Sequence, residues 1–359
     1  MHGYRIYDDA EGDSSTESGY REGVRRRVRW IAISALSVIV VLILTLILSN
    51  LDYSLSEIFG ALFSMDRSST IGKFIWNIDL PIAVGAMIAG AGLSLSGCVM
   101  QCILRNPLAS PYTLGLSNAA AFGAAFSIIF LTGGMVFNSV IGDYITPIIA
   151  FIATMVATGI IIVLTRVTKV SSETMVLAGI AVSAIFAAGI TLMQYIADPV
   201  QLSHIVSWMF GSVAFANWYW DALLLIFFVA VFYYFYLNRW NMNAMGAGDD
   251  VAKGLGVNTD RFLILGLIMA SVIAALVVCK FGVIAFVGLL GPHMARMVVG
   301  DDHRYLIPTS ALFGALLLMV ANLLANNIMS PMVLPVGLLT SLLGGPVFIY
   351  LLLRRWRTA

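Results

Sequence analysis

The sequence predicts an all-α membrane protein, a polytopic bundle of about ten transmembrane helices with both termini in the cytoplasm. Of the 359 residues, 60% are hydrophobic and only 11% are charged, and runs of 18 or more residues without a charge recur along the chain. Such a run is long enough to cross the hydrocarbon core of a bilayer as a helix. The third observation is the uneven distribution of basic residues between the connections that join these runs.

Residues 1–29 form a polar tail that we expect to lie in the cytoplasm. The tail ends in a basic cluster, Arg21 and the four arginines of residues 25–29, directly before the first apolar run at residues 30–48. This run is longer than the apolar part of a cleaved signal peptide, and no small-residue cleavage site follows it. The pattern is therefore typical of a signal anchor, and residues 30–359 are predicted to form a single transmembrane domain.

Nine further apolar segments complete the predicted bundle. They cover residues 81–104, 111–132, 145–165, 174–197, 217–237, 262–280, 283–299, 305–325 and 335–353. Only Lys280 and Gly282 interrupt the run that contains the seventh and eighth spans. Glycine and alanine are frequent inside the second and third spans, which predicts close helix packing, because small side chains let two backbones approach in lipid.

The basic residues orient this bundle. With ten spans and a cytoplasmic N-terminus, all but three of the 20 lysines and arginines fall on the cytoplasmic side, the exceptions being Arg67, Lys73 and Lys280. Cytoplasmic connections of membrane proteins carry an excess of basic residues. Both termini and the connection at residues 239–261 are therefore predicted to be cytoplasmic, in a multi-pass protein of the cell membrane.

Several function classes are disfavoured by composition and motif. A net charge of +1 gives no basic footprint for nucleic acid. The cysteines lie in apolar segments and the histidines are scattered, so we assign no metal site. No nucleophile motif is complete and no phosphate-binding loop of the G-x-x-x-x-G-K-[ST] type occurs, so we assign no catalytic residue and no cofactor to this chain. Acidic residues lie near span ends, as Asp198 and Asp221 do, which argues against an ion-coupled carrier.

The connection at residues 239–261 is the longest polar interruption between the first span and the C-terminus. Glycines at 246, 248, 254 and 256 punctuate it, and the residues between them favour a helix that starts with two acids. The pattern predicts a short helix between glycine turns. The alternative is an ordinary solvated loop that joins two spans.

Five blocks of sequence carry a resemblance to a known family. They are QCILRNPLASPYTLGLSNAAA at 101–121, SWMFGSVAFANW at 207–218, GDDVAKGLGV at 248–257, GVIAFVGLLGPHMARMVVGDDHR at 282–304 and LPVGLLTSLLGGP at 334–346. In this order and spacing they resemble the FecCD-type permease subunits of ATP-driven importers for iron-siderophore complexes, haem and cobalamin. The resemblance runs from about residue 76 to 355.

The resemblance implies partners and site residues. The expected partners are a second copy of the chain, two ATPase subunits that use ATP and magnesium, an extracytoplasmic substrate-binding protein and the lipid bilayer. The residues matched to the coupling helix that contacts the ATPase are Gly248, Asp249, Ala252, Leu255 and Gly256. The residues expected at the cytoplasmic face and gate are Arg105, Asn106, Pro107, Ser172, Glu173, Pro292, His293 and Arg296. For single arginines here, snorkelling at a helix end is the alternative.

The sequence departs from the family at the face expected to dock the binding protein. Members usually read Arg-Leu-Pro-Arg before the second span, whereas this chain has Asp79, Leu80, Pro81 and Ile82. The expected arginine after Ala325 is Asn326, and Val333 replaces the glutamate that commonly precedes the Leu-Pro pair ending at Pro335. We expect Asp79, Pro81, Asn326 and Pro335 to mark a docking face without the usual bases.

The resemblance places the cargo among metal chelates. An iron(III)-siderophore complex is the leading expectation, and cobalamin, haem or an oxyanion such as molybdate are the alternatives within the class. An ion-coupled secondary transporter is the alternative outside it.

Overall fold

A computed structural model describes residues 10–49, 53–65, 67, 69–132, 140–167 and 172–358, and the regular structure of these residues is helical throughout. The helices are α1 Ala10–Leu48, α2 Leu55–Ser64, α3 Thr70–Ile103, α4 Leu116–Leu131, α5 Val140–Val167, α6 Ser172–Ile196, α7 Pro199–Met209, α8 Trp218–Leu237, α9 Arg239–Gly246, α10 Asp249–Gly254, α11 Thr259–Phe281, α12 Val287–Val299, α13 His303–Asn327 and α14 Val336–Thr358. The all-α membrane fold predicted from the sequence is confirmed.

Each of the ten predicted spans coincides with a helix, but the helices differ in length. Within the described residues, seven are long and apolar enough to cross a membrane: α1, α3, α5, α6, α8, α11 and α13. The other three predicted spans correspond to shorter apolar stretches, Leu116–Leu131, Val287–Val299 and Val336–Tyr350. Two of these, α4 and α12, follow irregular backbone at residues 104–115 and 282–286, which shortens the helix available to the span.

The predicted break between the seventh and eighth spans is confirmed. Gly282 ends α11 with a φ of 73°, a left-handed conformation that glycine adopts without steric cost. A Cβ atom at this position would collide with the Trp208 carbonyl oxygen, so a larger residue is excluded by space as well as by backbone conformation. The chain then runs irregularly to α12.

Two helix boundaries differ from the sequence prediction, and one helix is additional. Helix α1 starts at Ala10, so the polar tail is helical for much of its length. Helix α3 starts at Thr70, eleven residues before the predicted second span, and passes through a π-helical turn at Ile75–Asp79. Helix α2 was not predicted. Its N-terminus is a capping box, in which the Ser54 side chain accepts from the Glu57 N–H and the Glu57 carboxylate accepts from the Ser54 N–H.

Helix α3 is the centre of the bundle. From Leu80 to Ile103 nearly every residue is buried, and the helix packs on α11, α12 and α13. Gly90 meets the Gly314 backbone, and the Ser94 hydroxyl donates to the Ser310 carbonyl oxygen over 2.6 Å. The close packing predicted from the small residues is therefore confirmed, since a Cβ at Gly90 would collide with α13.

The antiparallel pairing of α3 and α13 fixes the two ends of the molecule. Contacts of Gly90 with Gly314 and of Ser94 with Ser310 set one register along the pair. Extended in one direction, this register brings Asp79 level with the end of α13 near Asn326. Extended in the other direction, it brings Gln101 level with the start of α13.

Candidate functional site

The candidate site is the connector formed by α9 and α10, together with a cleft beside it. Helix α10, Asp249–Gly254, starts after Gly248 and has both acids in its first turn and Lys253 in its last. Charges of these signs favour the two ends of a helix dipole. The short helix between glycine turns that the sequence predicts is confirmed.

Two glycines of the connector have backbone conformations that other residues rarely adopt. Gly248 has a φ of 122° and Gly256 a φ of 84°. A Cβ at either position would meet nothing within 4 Å, so backbone conformation alone requires glycine there. Gly246 and Gly254 also have free space, and neither has a positive φ. Gly248 and Gly256 therefore set the direction in which the backbone enters and leaves α10.

Helix α10 has one buried and one exposed side. Ala252 is fully buried and anchors the helix on the protein. Val251 and Leu255 are 49% and 70% exposed, and their spacing of four residues places them on one face. Of the two, only Leu255 was predicted from the sequence as a contact residue. An exposed apolar pair on an anchored helix is typical of a contact surface for a partner.

Helix α10 is also held by an ion pair. Arg105, in the turn after α3, contacts the Asp249 carboxylate. Arg105 has a φ of 46°, and the next residue, Asn106, accepts from the Leu108 N–H over 2.9 Å. This turn directs the arginine toward the connector. The structure thus gives Arg105 a definite partner beyond simple snorkelling.

A cleft of about 760 Å³ lies beside this ion pair. Its lining residues come from α3, α9, α12, the start of α13 and the turns next to them: Gln101, Cys102, Arg105, Pro107, Asn243, Gly246, His293, Arg296, Asp301, Asp302 and His303. Four of the residues predicted at the cytoplasmic face, Arg105, Pro107, His293 and Arg296, thus line one cleft. Pro292 is buried inside α12 and does not line the cleft.

Arg296 connects the helices on one side of the cleft. Its Nη1 donates to the Gln101 side-chain oxygen over 3.1 Å, and its Nε lies 2.6 Å from the Asp301 carboxylate. The Gln101 amide in turn donates to the Leu289 carbonyl oxygen over 3.4 Å. These contacts join α3 to the beginning and the end of α12.

Asn243 connects α9 to the start of α13 on the other side. Its side-chain oxygen accepts from the His303 N–H at 2.9 Å and lies 2.8 Å from His303 Nδ1, while its amide donates to Asp302 over 3.1 Å. Because the Asn243 oxygen can only accept, Nδ1 carries the imidazole proton. Burial alone would raise the pKa of the Asp302 carboxyl, but hydrogen bonds from Arg304 and Asn243 outweigh burial and hold the pKa at about 2.

Several residues of this cleft were not predicted from the sequence. They are Gln101, Asp301, Asp302 and His303, which fall inside the blocks that carry the resemblance, and Asn243, which falls in the connection at residues 239–261. Their partners are distant in sequence: 195 residues separate Gln101 from Arg296, and 60 separate Asn243 from His303. Ser172 and Glu173 begin α6, and their side chains lie outside the part of the chain that the structure describes.

The residues expected at the docking face lie at the opposite end of the bundle. Asp79 ends the π-helical turn of α3, so it is part of a helix and not of a preceding loop, and Pro81 is buried in the next turn. Asn326 is in the last turn of α13 and Pro335 immediately precedes α14. Two of the bases assigned to this side contact tryptophans: Arg67 stacks on Trp76 and Lys280 on Trp220.

Asp221 is an unusual residue at this end. It lies in the first turn of α8, is 2% exposed, and neither carboxylate oxygen has a hydrogen-bond partner among the described residues. The sequence placed Asp221 at a span end but could not predict its burial. A buried carboxylate without a partner is costly, so it marks a position of functional interest.

An apolar cavity of about 400 Å³ lies between α12, α13 and α14. Its lining consists of Phe286, Val287, Leu290, Met294, Phe313, Leu316, Leu317, Val320, Ala321, Thr340, Leu343, Gly344 and Val347. Such a lining suits hydrocarbon and not a charged chelate. Among the described residues no three His, Cys, Asp or Glu side chains are grouped as a metal site would need.

Known proteins resemble the chain over most of its length. Residues 37–354 match the model of the FecCD transport family. A putative ABC transporter permease protein of Methanocaldococcus jannaschii is 42% identical over 89% of this chain and 94% of its own. The hemin transport system permease protein of Yersinia pestis is 35% identical over 88% of this chain and 94% of its own. A solved structure described as an inward-facing conformation of a putative metal-chelate type ABC transporter has a TM-score of 0.78 at 28% identity, covering 90% of this chain and 98% of its own.

Proposed function

The chain belongs to the FecCD transport family of ABC importer permeases, and from this premise we propose that it passes an iron(III)-siderophore complex across the cell membrane, driven by separate ATPase subunits. The connector carries the proposal. Helix α10 is anchored through Ala252, held by Arg105, and exposes Val251 and Leu255, so it has the form of a rigid coupling helix that an ATPase could move.

The cleft explains how such a movement would reach the bundle. A push on α10 acts on the end of α3 through the Arg105–Asp249 pair, and a push on α9 acts on the start of α13 through Asn243. The contacts of Arg296 and Gln101 then extend to α12. Three helices of the bundle would therefore respond together to the ATPase.

The names of relatives support a metal chelate as cargo. Among them are permeases for hemin in Yersinia pestis, Fe(3+)-citrate and iron(3+)-hydroxamate in Bacillus subtilis, and vitamin B12 in Vibrio vulnificus. Most of these cargoes contain chelated iron, so we place an iron(III)-siderophore complex before cobalamin, haem or molybdate. The binding protein, and not the permease, is expected to select among them.

The remaining assignments complete the proposed assembly. Two copies of the chain form the pathway on a shared axis, two ATPase subunits that use ATP and magnesium bind the connectors in the cytoplasm, and an extracytoplasmic binding protein docks at the opposite end. Both termini are cytoplasmic. Ser172 and Glu173 contribute to the gate on the connector side, and Asp79, Pro81, Asn326 and Pro335 contribute to the docking face.

The test is uptake by the reconstituted assembly. Neighbouring reading frames are searched for a phosphate-binding-loop ATPase and a binding protein, the chain is placed in liposomes with both, and ligand binding by the purified binding protein identifies the cargo. We expect uptake of that cargo to require ATP hydrolysis and to persist when the proton gradient is collapsed. Uptake without ATP would overturn the proposal.

An ion-coupled carrier is the second candidate, because Asp221 is a buried carboxylate without a hydrogen-bond partner among the described residues. Its position in the first turn of α8 weighs against this candidate, since carriers of that class use ionisable residues near mid-membrane. The two candidates differ in one measurement. In an ion-coupled carrier, collapse of the ion gradient would abolish uptake, and the Asp221→Asn substitution would separately abolish uptake with the gradient intact. An ATP-driven importer keeps gradient-independent uptake in both cases.

A further inference from the structure

Helix α2 has three kinds of surface, arranged as neighbouring stripes. Successive residues of a helix point about 100° apart, so residues four apart form stripes along its length. Ile58 is 2% exposed and packs with Ala61 into a small core. The next stripe consists of Leu55, Phe59 and Phe63, and the one after it of Ser56, Gly60 and Ser64.

The stripe of Leu55, Phe59 and Phe63 is apolar but largely uncovered. Phe63 is 80% exposed and Leu55 is 55% exposed, and the rings of Phe59 and Phe63 stack with their centroids 6.3 Å apart. The protein therefore covers one apolar side of α2, and on the adjacent apolar side it leaves Leu55 and Phe63 exposed and Phe59 half-buried. The stripe of Ser56, Gly60 and Ser64 is exposed and lies on the side of the apolar stripe that is remote from Ile58.

The orientation of α2 about its axis is fixed by Trp76. The Trp76 indole N–H donates to the Ala61 carbonyl oxygen over 3.1 Å, and the Trp76 carbonyl oxygen accepts from the Trp218 indole over 2.8 Å. Arg67 stacks on the Trp76 ring at 5.2 Å. The stripe of Leu55, Phe59 and Phe63 therefore cannot turn inward without breaking the Trp76–Ala61 hydrogen bond and exposing Ile58.

The surroundings of α2 indicate what covers the stripe. The helix lies between the end of α1 and the start of α3, at the end of the bundle opposite the connector. Phe74 and Ile78 are exposed in the first turns of α3. Because α3 is long and apolar enough to cross a membrane, these two side chains lie on a surface that lipid can contact. Tryptophans with a satisfied indole N–H and a nearby cation are typical of the boundary between acyl chains and headgroups.

We propose that α2 lies in the membrane interface, with Leu55, Phe59 and Phe63 inserted at the level of the upper acyl chains and Ser56, Gly60 and Ser64 facing water. A helix with an apolar and a polar side binds a bilayer in this way. Three side chains are also too few for a stable interface with another protein, which buries about 800 Å² on each partner. The occupant is therefore the lipid itself.

The experiment uses the full chain in liposomes with a fluorophore on a single introduced cysteine. Phe63→Cys and Leu55→Cys report on the apolar stripe. Gly60→Cys is the matched control on the polar stripe, where a Cβ meets nothing within 4 Å. Cys98, Cys102 and Cys279 are buried, and the unsubstituted chain measures any labelling of them.

Lipids that carry a nitroxide near the headgroup should quench the labels at positions 63 and 55 about threefold more than the label at position 60, and aqueous iodide should show the reverse order. Equal iodide quenching at positions 63 and 60 would place the stripe in water and overturn the proposal. Protection of position 63 from both quenchers would also overturn it, since a protein surface would then cover the stripe.

Discussion

At the scale of single residues, the ion pair between Arg105 and Asp249 links helix α10 of the connector to the end of α3. Both side chains are partly exposed, so water screens the pair and its contribution to stability is at most about 1 kcal/mol. Arg105→Glu should therefore leave the melting temperature nearly unchanged while it lowers uptake per ATP hydrolysed. Combining it with Asp249→Arg should restore part of the coupling, because the pair is re-formed with reversed signs.

The control for this charge swap is Arg261→Glu, which reverses an exposed arginine at the other end of the connector. If Arg261→Glu lowers coupling as much as Arg105→Glu does, or if the double swap restores nothing, the effect comes from net charge and not from the pair. Uptake and ATP hydrolysis measured on the same liposomes distinguish these outcomes.

The connector glycines give a second prediction at this scale. Gly248→Val and Gly256→Val should uncouple transport and leave the bundle folded, because valine is strained at positive φ by about 1–3 kcal/mol, and the chain would relieve that strain by re-aiming α10. Gly246→Val and Gly254→Val are matched controls with free space and without a positive φ. Full ATP-driven uptake by the Gly248 and Gly256 variants would contradict the assigned role of the connector.

At the scale of helices, the exposed pair on α10 predicts where the ATPase binds. Burying a leucine side chain contributes about 1.5–3 kcal/mol, so Leu255→Ser should weaken ATPase binding by a factor of about ten or more. Val251→Ser should have a smaller effect in the same direction. Lys253→Ser, on the same helix, is the control and should change binding little. A binding titration with the purified ATPase measures all three, and equal effects of Lys253→Ser and Leu255→Ser would exclude an apolar contact.

The sequence predicted helices well where the signal is local and poorly where it depends on distant partners. The glycines and acids around α10 lie within a few residues of each other. Lys280 and Gly282, which mark the break between α11 and α12, are equally close in sequence. Helix α2 was not predicted because its ten residues are too few to cross a membrane, so it lacks the long apolar run that identifies a span. The cleft was not predicted because its hydrogen bonds join residues far apart in the chain, as Asn243 and His303 are. The periodicity of hydrophobic residues in a sequence carries no information about such long-range contacts.

At the scale of the whole molecule, we predict a homodimer that binds two copies of one ATPase. A pathway for a bulky chelate needs walls on all sides, and a two-fold axis supplies them from one chain. The exposed apolar surfaces of α6 and α14, such as Ile185 and Leu342, are available to lipid or to the second copy. Native mass measurement of the whole complex should give two permeases and two ATPases, and a single permease per complex would contradict the prediction.

The last prediction concerns docking of the binding protein at the end of the molecule where Asp79 lies. The family's usual basic residues are absent there, and Asp79 and Asn326 stand at two of those positions. If docking still relies on charge, it uses Asp79 with a basic residue of the partner, or Arg67, Lys73 or Lys280 with acidic ones.

Charge-led association weakens as salt screens it, because the Debye length falls to about 8 Å at physiological ionic strength. Binding-protein affinity should then decrease with rising salt, and Asp79→Asn should change the slope, whereas Asp260→Asn, on the connector side, should not. A flat salt response that Asp79→Asn leaves unchanged would mean that docking here rests on apolar contact and shape alone.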